Sequence, residues 1–316
     1  MSERVRNTTQ TAGLAPGMQT FYDRRLLDIM KPVLAYTKYG QKRPMPRNNG
    51  KTIDFRKYDT FELATDPLTE GITKPGHEMR QTNVSVTVQQ YGDYVEMSDM
   101  LILTHFDSNI VEANRLNAMQ AAETIEAVTR DELGKGTNVY YANGTSRSEV
   151  GAEHVLTSVL LRKAVRTLKK NNAKPFYRGG RRYFYAIVNP DTVFDLQSDP
   201  AWESKAQYQQ AEKIESGEIG RLYGVVVIEA TTGITFAGAG AGGVDVAGTI
   251  VFGQDAYGIV DIAGSGNVRT IVKQLGSSGT SDPLDQRATV GWKVMAYAAK
   301  ILQPDWIVRI EHGMSA

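Results

Sequence analysis

The chain has 316 residues, and its 41% hydrophobic and 22% charged content is that of an ordinary globular protein of one elaborated domain or two. Its 36 Lys and Arg residues balance 35 Asp and Glu residues, so no overall charge attracts nucleic acid or a membrane surface. The absence of cysteine excludes disulfides and cysteine metal sites, and the sequence shows neither a signal peptide nor an apolar run long enough to span a membrane.

The first 45 residues predict an N-terminal arm. The first twenty positions are polar and contain Gly and Pro, so they offer little apolar surface to bury. A short amphipathic patch follows at Phe21–Met30, and Pro32 limits that helix. Residues 1–60 hold twelve Lys and Arg against five Asp and Glu, a local net charge of +7. The segment is either a solvated arm or one that lies over a neighbouring subunit or faces a polyanion.

A long β-hairpin is predicted next. In Lys51–Tyr58 and in Asn83–Gln89, apolar side chains occupy every second position, as in strands with one covered face. The stretch between them contains two prolines and two glycines, too many breakers for a helix. Because a two-stranded hairpin is only marginally stable alone, we expect this one to lie on something else, which suggests assembly.

A long helix is predicted at residues 108–133, where apolar residues recur three and four positions apart. The apolar stripe comprises Ala118, Ala121, Ala122, Ile125 and Val128. Glu126 and Arg130 lie off this stripe and are expected to interact as i,i+4 partners. Capping residues at 107–109 favour the start, and Gly134 favours the end. Such a helix would be about 40 Å long and would act as a beam to which other elements attach.

The middle of the chain, residues 140–265, predicts a compact α/β unit. Its predicted helices lie at Val155–Lys170 and directly after Asn189-Pro190, and its predicted strands are Tyr183–Val188, Val225–Glu229, Thr249–Phe252 and Tyr257–Asp261. The tail, Arg287–Glu311, returns to the alternation of a strand. Within the middle unit, residues 162–182 carry nine basic residues and no acid, which indicates either a solvated helix face with a loop or contact with a polyanion or an acidic neighbour.

The motifs that carry chemistry are missing or incomplete. Residues 238–243 fit G-x-G-x-x-G, but a strand rather than a helix is predicted to follow, so we interpret them as a loop. The histidines, which we expect at the surface or an interface, are His77, His105, His154 and His312, too far apart to form a zinc helix. There is no serine elbow and no thiol nucleophile. We therefore predict no catalytic, cofactor-binding or metal-binding residue.

Several stretches carry a resemblance to a known family. They are Pro46–Ile53, Leu68–Gly71, TVQQYGDYVEMSD at 87–99, Asn189–Asp191, AEKIESGEIGRLYGVVVIEA at 211–230, and residues 281–311. With these stretches the chain resembles the major capsid proteins of tailed bacteriophages, specifically those of the podovirus N-four group. The matching stretches run in order over nearly the whole chain.

The resemblance implies an α+β fold of the Hong Kong 97 type. Its expected parts are the N-terminal arm at 1–45, the extended loop hairpin at 46–91, the peripheral domain at 92–139 and 266–316 with spine helix 108–133, and the axial domain at 140–265. Many coat proteins of this fold carry a scaffolding region that is removed. Because no such helical stretch precedes the arm here, either the chain is a processed form or scaffolding is a separate protein.

The resemblance also implies a function: hexamers and pentamers of this protein would form an icosahedral shell around packaged double-stranded DNA. Its expected partners are copies of itself, scaffolding, portal and possibly decoration proteins, and DNA bound without sequence specificity. It would act without a cofactor or membrane, in the virion capsid and in the host cytoplasm during assembly. The candidates for intersubunit contacts are Arg47, Lys51, Arg56, Lys57 and Glu70, whose ion pairs would set register and partner choice.

Three other interpretations remain. An encapsulin, a bacterial nanocompartment shell protein, would have the same fold, and DNA inside natural particles would separate the two. A nucleic-acid-binding protein would use the basic arm, although the near-zero net charge disfavours it. An enzyme is disfavoured by the missing motifs.

Overall fold

A computed structural model of the chain describes residues 35–68, 70–74, 76–104, 109–202, 218–262, 267–277 and 282–315. The helices in these ranges are α1 (Asp99–Thr104), α2 (Asn109–Leu133), α3 (Ser158–Lys170) and α4 (Pro190–Gln197). The strands are β1 (Gln41–Met45), β2 (Thr52–Tyr58), β3 (Gln81–Thr87), β4 (Gln89–Ser98), β5 (Val139–Tyr141), β6 (Phe176–Arg178), β7 (Arg181–Val188), β8 (Glu218–Leu222), β9 (Val225–Glu229), β10 (Ile234–Phe236), β11 (Val246–Phe252), β12 (Tyr257–Ile262), β13 (Arg269–Lys273), β14 (Arg287–Ile301) and β15 (Ile307–His312). The expected arm helix at Phe21–Met30 and the capping residues at 107 and 108 lie outside the described residues.

Two sheets and a separate hairpin organise the strands. The five-stranded sheet has the order β1-β12-β14-β13, with β4 also paired to β14. The eight-stranded sheet has the order β5-β15-β11-β7-β9-β8, with β10 on β11 and β6 on β7. Strand β14 is the central strand of the smaller sheet, because β4 and β13 pair with its first part and β12 pairs with its end. The pairing of β14 with β4 has a register shift between Val294 and Tyr297.

Helix α2 confirms the predicted long helix to within one residue at its start and ends before Gly134 as expected. Four residues of its predicted apolar stripe are buried and Val128 is half-buried, because this face packs against both sheets. The predicted partnership of Glu126 with Arg130 is wrong. Glu126 is fully buried, and Arg130 instead pairs with Asp131, their nitrogen and oxygen 2.8 Å apart. Helical spacing could not show that residues 35–36 cover this second face of α2.

The eight-stranded sheet separates two cores, which explains why its strands are nearly continuous apolar runs. On β7, Tyr185 and Ile187 point toward the core shared with α2 and the smaller sheet. Phe184 and Ala186, at alternating positions, point toward the second core, which is covered by α3 and α4. The four predicted strands of the middle unit are therefore confirmed, as is the short helix that begins with Pro190 at its first position.

Strand pairing departs from the expected division of the chain at three places. Strand β1, at the end of the expected arm, is paired in parallel with β12 inside the five-stranded sheet. Strand β12, expected in the axial domain, is paired with β14 of the tail. Strand β15, expected in the peripheral domain, lies between β5 and β11 in the eight-stranded sheet. Apolar alternation predicts these strands but not their partners, which are distant in the chain.

Two local expectations have different outcomes. The stretch 238–243 forms a loop with a short 3-10 turn, and β11 follows it, which confirms that a strand rather than a helix comes next. His312, expected at a surface or interface, is fully buried within its own subunit, so that expectation is wrong. Every residue of its strand β15 is buried, because Ile307 belongs to the core that contains α2 residues and Val308 and Ile310 to the core covered by α3, and so the polar residues of the strand are enclosed as well.

Candidate assembly surface

The predicted hairpin is confirmed and consists of β2 and β3. Its antiparallel register runs from Thr52 opposite Thr87 to Tyr58 opposite Gln81. Because side chains alternate along a strand, it has one face with apolar residues and one polar face. The polar face holds a cross-strand hydrogen bond of 2.6 Å from the Ser85 hydroxyl to Asp54 Oδ1.

The base of the hairpin is fixed to its own subunit. Val86 is buried, and Ile53 and Phe55 on the facing strand are half-buried. This apolar face packs against β12 and β14, where Val260 and Ala296 are buried in the same cluster. The sequence-based expectation that the hairpin must lie on something is met at its base, so only the distal part is left for a neighbour.

The distal part, residues 58–80, exposes apolar side chains to solvent. The exposed fractions are 55% for Tyr58, 57% for Phe61, 87% for Leu63, 81% for Leu68, 65% for Ile72 and 71% for Met79. The backbone of this segment is closed by a hydrogen bond of 3.1 Å from the Asp59 N–H to the Arg80 carbonyl. Large apolar side chains gathered on one projection are typical of a surface that another molecule covers.

We call residues 58–80 the hairpin tip. Sequence reasoning singled out one residue of the tip, Glu70, and missed its apolar residues, because they do not alternate and no strand or helix pattern marks them. The available signal was compositional: a segment rich in turn residues would be expected to be polar throughout, and this one is not.

The five predicted contact residues do not form a single basic face. Arg47, Lys51, Arg56 and Glu70 are exposed, whereas Lys57 is half-buried. Arg56 and Lys57 are neighbours on β2 and therefore point to opposite faces of the hairpin, Lys57 toward the side that carries the apolar base. Within the described residues none of the five forms an ion pair. Their charges are therefore available to groups outside this subunit.

A second exposed apolar surface lies beside the five-stranded sheet. It includes Leu103 on α1, exposed to 81%, and Leu116 and Met119 on α2, exposed to 54% and 41%. Leu116 and Met119 are three residues apart and so share one side of α2, away from the buried stripe. We call these residues the helix-side apolar surface.

The chain enters the body of the subunit at a buried carboxylate. Glu126 Oε1 on α2 accepts hydrogen bonds from the backbone N–H groups of Ala35 and Tyr36, at 2.8 and 2.7 Å. The Tyr257 hydroxyl donates to the Tyr36 carbonyl. Burial raises the pKa of Glu126, and the N–H groups of residues 35 and 36 oppose that rise. The start of the described chain is thus held at the middle of α2.

A second buried charge connects α2 to β15. Glu311 accepts two hydrogen bonds from Arg147, at 2.7 and 2.8 Å, and one from Arg309 Nε at 2.8 Å. Arg309 also donates to the carbonyls of Gly134 and Gly136, just beyond the end of α2. Burial alone would raise the pKa of Glu311, but the Arg147 hydrogen bonds and the charge of Arg309 outweigh it and lower that pKa. This network fixes the carboxyl end of the long helix to the larger sheet.

The profile of a family described as "Phage capsid protein" matches residues 81–310, well over half of the chain. A search of curated protein sequences gave no match. Among the described residues no helix is long and apolar enough to cross a membrane.

Solved structures share the fold at low sequence identity. The capsid asymmetric unit of cyanophage Pam1 superposes with a TM-score of 0.65 at 15% identity, over 90% of this chain and 94% of that one. The capsid of Ralstonia phage GP4 gives 0.67 at 13% identity, over 89% of each chain. A virus-like particle from Pyrococcus furiosus gives 0.53 at 13% identity, over 93% of this chain and 99% of that one. Identities this low establish the fold alone.

Proposed function

The chain belongs to the phage capsid protein family, and from that premise we propose that copies of it form the hexamers and pentamers of a closed shell around packaged double-stranded DNA. It is the major capsid protein of an icosahedral tailed-phage shell, structural rather than enzymatic, and its place is the virion capsid. Its α+β fold is the Hong Kong 97-type fold of such shells.

The observation that carries the proposed assembly is the hairpin tip. Its base is packed on its own subunit, while Leu63 and Leu68 project with more than four fifths of their surface in water. Burying a leucine side chain stabilises a contact by about 1.5–3 kcal/mol, so a tip with six large apolar residues would gain substantially from a neighbour. The helix-side apolar surface of an adjacent copy is the complementary partner that this chain itself offers.

The predicted charges are proposed to set the register of that contact. Arg56 and Lys57 on β2 lead into the apolar tip, Glu70 lies within it, and Arg47 and Lys51 lie at the other end of β2. Charges beside an apolar centre are the usual arrangement of an interface. Charged rims contribute more to partner choice than to affinity. Contacts of this kind are individually modest and act together in a shell, because each subunit is held by several neighbours at once.

We also propose the finer assignment to the podovirus N-four-like group, on the stretches quoted from 46–53 to 281–311. We also propose the expected arm, extended loop, peripheral domain and axial domain, but with three changes: the arm ends before β1, β12 is grouped with the peripheral sheet, and β15 is grouped with the axial sheet. Scaffolding, portal and possibly decoration proteins are proposed as further partners.

Electron microscopy of the expressed full chain tests the proposal, with and without a co-expressed scaffold. We expect closed particles from the wild type and no regular particles from a Leu63→Ser/Leu68→Ser variant. The matched control is Val159→Ser/Phe194→Ser, which removes two exposed apolar side chains on α3 and α4, outside the hairpin. Normal particles from the tip variant would contradict the role of the tip, and a wild type that stays monomeric in every assembly condition would contradict the shell.

An encapsulin-type compartment is the second candidate. The observation that favours it is the superposition with a Pyrococcus furiosus virus-like particle, a structure whose description does not name a phage. That superposition has a lower TM-score than those with the two phage capsids, 0.53 against 0.65 and 0.67. Purified natural particles decide between them: we expect double-stranded DNA inside, and a protein cargo without DNA would favour the compartment.

A further inference from the structure

The outer side of α3 is a continuous basic surface. Five of the thirteen residues of this helix are exposed Lys or Arg, and they follow helical spacing around the side opposite its buried leucines. We call this set the α3 basic face, and it comprises Arg162, Lys163, Arg166, Lys169 and Lys170. The inner side of α3 is fixed by burial of Leu160, Leu161, Ala164, Val165 and Leu168, so the orientation of the basic side is determined.

These cations form no ion pair with any residue that the structure describes. Of the nine basic residues between 162 and 182, Lys174 pairs with Asp255 and Arg178 with Glu218, each pair 2.6 Å apart. Within the part of the chain that the structure describes, no ion pair involves the α3 basic face. Arg162 does lie 5.0 Å from the centre of the Tyr223 ring, which orients that side chain without neutralising it.

The arrangement works against the stability of the helix itself. Arg162 and Arg166, and again Arg166 and Lys170, are like charges four residues apart, a spacing that destabilises a helix. The first turn of α3 has no acidic residue of its own, and the carboxylate of Asp199 complements the helix dipole there by accepting the Ser158 N–H at 2.8 Å. Lys169 and Lys170 complement the dipole in the last turn. The like-charge spacing opposes folding without a structural gain, which points to a functional surface.

The chemistry of this surface fits phosphate better than protein. Protein interfaces have an apolar centre and are depleted in Lys. The exposed side of α3 holds five cations, and its one exposed apolar residue, Val159, lies at the end of this set in the first turn.

Arg182 on β7 lies two residues before the buried Phe184, which faces α3. Side chains two positions apart on a strand point to the same side, so Arg182 adds a further cation on the side of the sheet that α3 covers. The guanidinium of Arg182 lies 5.6 Å from the centre of the Tyr177 ring on the paired strand β6. Like Arg162 beside Tyr223, Arg182 is therefore a cation beside a tyrosine ring.

We propose that the α3 basic face binds the phosphate backbone of double-stranded DNA inside the shell, without sequence specificity; this rests on the proposed function. From Arg162 to Lys170 the helix extends about 12 Å. A DNA duplex of that length carries about seven phosphates. Five cations per subunit give a contact that is weak at physiological salt and repeated over many subunits, which suits DNA that must be packed and later released.

The test measures how duplex binding by the unassembled full chain depends on salt. Wild type is compared with Arg162→Gln/Arg166→Gln/Lys170→Gln by fluorescence anisotropy of a short mixed-sequence duplex between about 50 and about 200 mM NaCl. The matched control is Arg43→Gln/Arg269→Gln/Lys273→Gln, which removes three exposed cations from β1 and β13. Removing like charges from α3 relieves repulsion, so loss of the fold is not expected, and circular dichroism verifies this.

Five phosphate contacts predict a loss of affinity of about 500-fold over this salt range for the wild type and the control, and two remaining contacts predict about 12-fold for the α3 variant. Equal salt dependence in the α3 variant and the control would overturn the proposal. So would polyglutamate binding through α3 without duplex binding, which would assign the face to an acidic protein. Electron microscopy of the same samples measures shell formation separately. If duplex binding depends on α3 but no shells form, the result contradicts the proposed function and leaves the DNA-binding role of the α3 basic face intact.

Discussion

The carboxylate of Glu126 accepts a hydrogen bond of 2.7 Å from the backbone N–H of Tyr36, ninety residues earlier in the chain. Both residues are fully buried, and the same oxygen accepts the N–H of Ala35. A segment without secondary structure leaves its N–H groups unpaired when it is buried, and here a side chain supplies the acceptor. Glu126 therefore determines where the N-terminal segment joins the long helix.

Glu126→Ala tests this junction. The change leaves two buried N–H groups without an acceptor, so we expect the free energy of unfolding of the unassembled subunit to fall by about 2–5 kcal/mol. Glu126→Gln is the matched control, because it keeps the accepting oxygen and should cost less. Trypsin cleavage after the exposed Lys38 should accelerate in the Ala variant only. Equal losses in both variants would show that the hydrogen bonds to residues 35 and 36 are not the important contribution.

Because His312 is buried, we expect the folded subunit to lose stability in mild acid. His312 is fully buried, with Nδ1 donating to the Gly313 carbonyl at 2.8 Å and, in the neutral ring, Nε2 accepting from the Thr249 hydroxyl at 2.9 Å. Burial lowers the pKa of His312 from 6.5 to about 4. Between these values the unfolded chain binds more protons, so stability is complete above pH 6.5 and falls by about 3 kcal/mol as the pH drops through the folded-state pKa.

The measurement is the melting temperature of the unassembled subunit between pH 7 and pH 4.5, a window that lies above the ordinary pKa of carboxylates. His312→Gln should flatten the dependence of the melting temperature on pH, while His77→Gln, a change at an exposed histidine, should leave it as in the wild type. An unchanged slope in His312→Gln would assign the acid sensitivity to another group.

The sequence predicts elements well where one local pattern decides them. Alternation at Ile53 and Phe55 predicts the hairpin, and three- and four-residue spacing predicts α2, because each pattern reports a single covered face. Asn189-Pro190 predicts the start of α4 for the same kind of reason, since proline fits the first helical turn.

What local patterns cannot predict is which distant segment covers a second face. Glu126 has the spacing of a solvent-facing residue and becomes buried only because residues 35–36 lie on it. Arg309 and Glu311 read as the outer positions of an alternating strand, yet both are enclosed because β15 has cores on both sides. For the candidate surface, the charges of the hairpin were predicted from the sequence, whereas the exposure of Leu63 required the fold.

Charge reversal at two positions of β2 tests the two faces of the hairpin one at a time. Arg56→Glu changes the exposed polar face and Lys57→Glu the half-buried side above the apolar base. We expect both variants to remain folded by circular dichroism and to block or misdirect shell formation in electron microscopy, because like charges placed at an interface disfavour the correct register. Arg269→Glu, an exposed change on β13, is the control. Normal particles from both hairpin variants would exclude these charges as essential contacts.

The ion pairs of Glu311 should matter far more than an ion pair of the same length at the surface. Glu311→Gln leaves the buried Arg309 without a charged partner, so we expect a loss of about 3–5 kcal/mol in the free energy of unfolding. Arg147→Gln should cost about 1.5–3 kcal/mol, since Arg147 is about one-third exposed and Glu311 keeps its bond to Arg309.

Arg115→Gln provides the comparison, because Arg115 and Glu112 are 2.6 Å apart but about half exposed. Water screens that pair, so its removal should cost under about 1 kcal/mol. Urea unfolding of the three variants at low and high salt checks the order, and salt should affect only the Arg115 comparison, because buried charges are screened little. If Glu311→Gln were as mild as Arg115→Gln, then hydrogen bonds to the neutral amide would suffice, and the connection between α2 and β15 would not depend on charge.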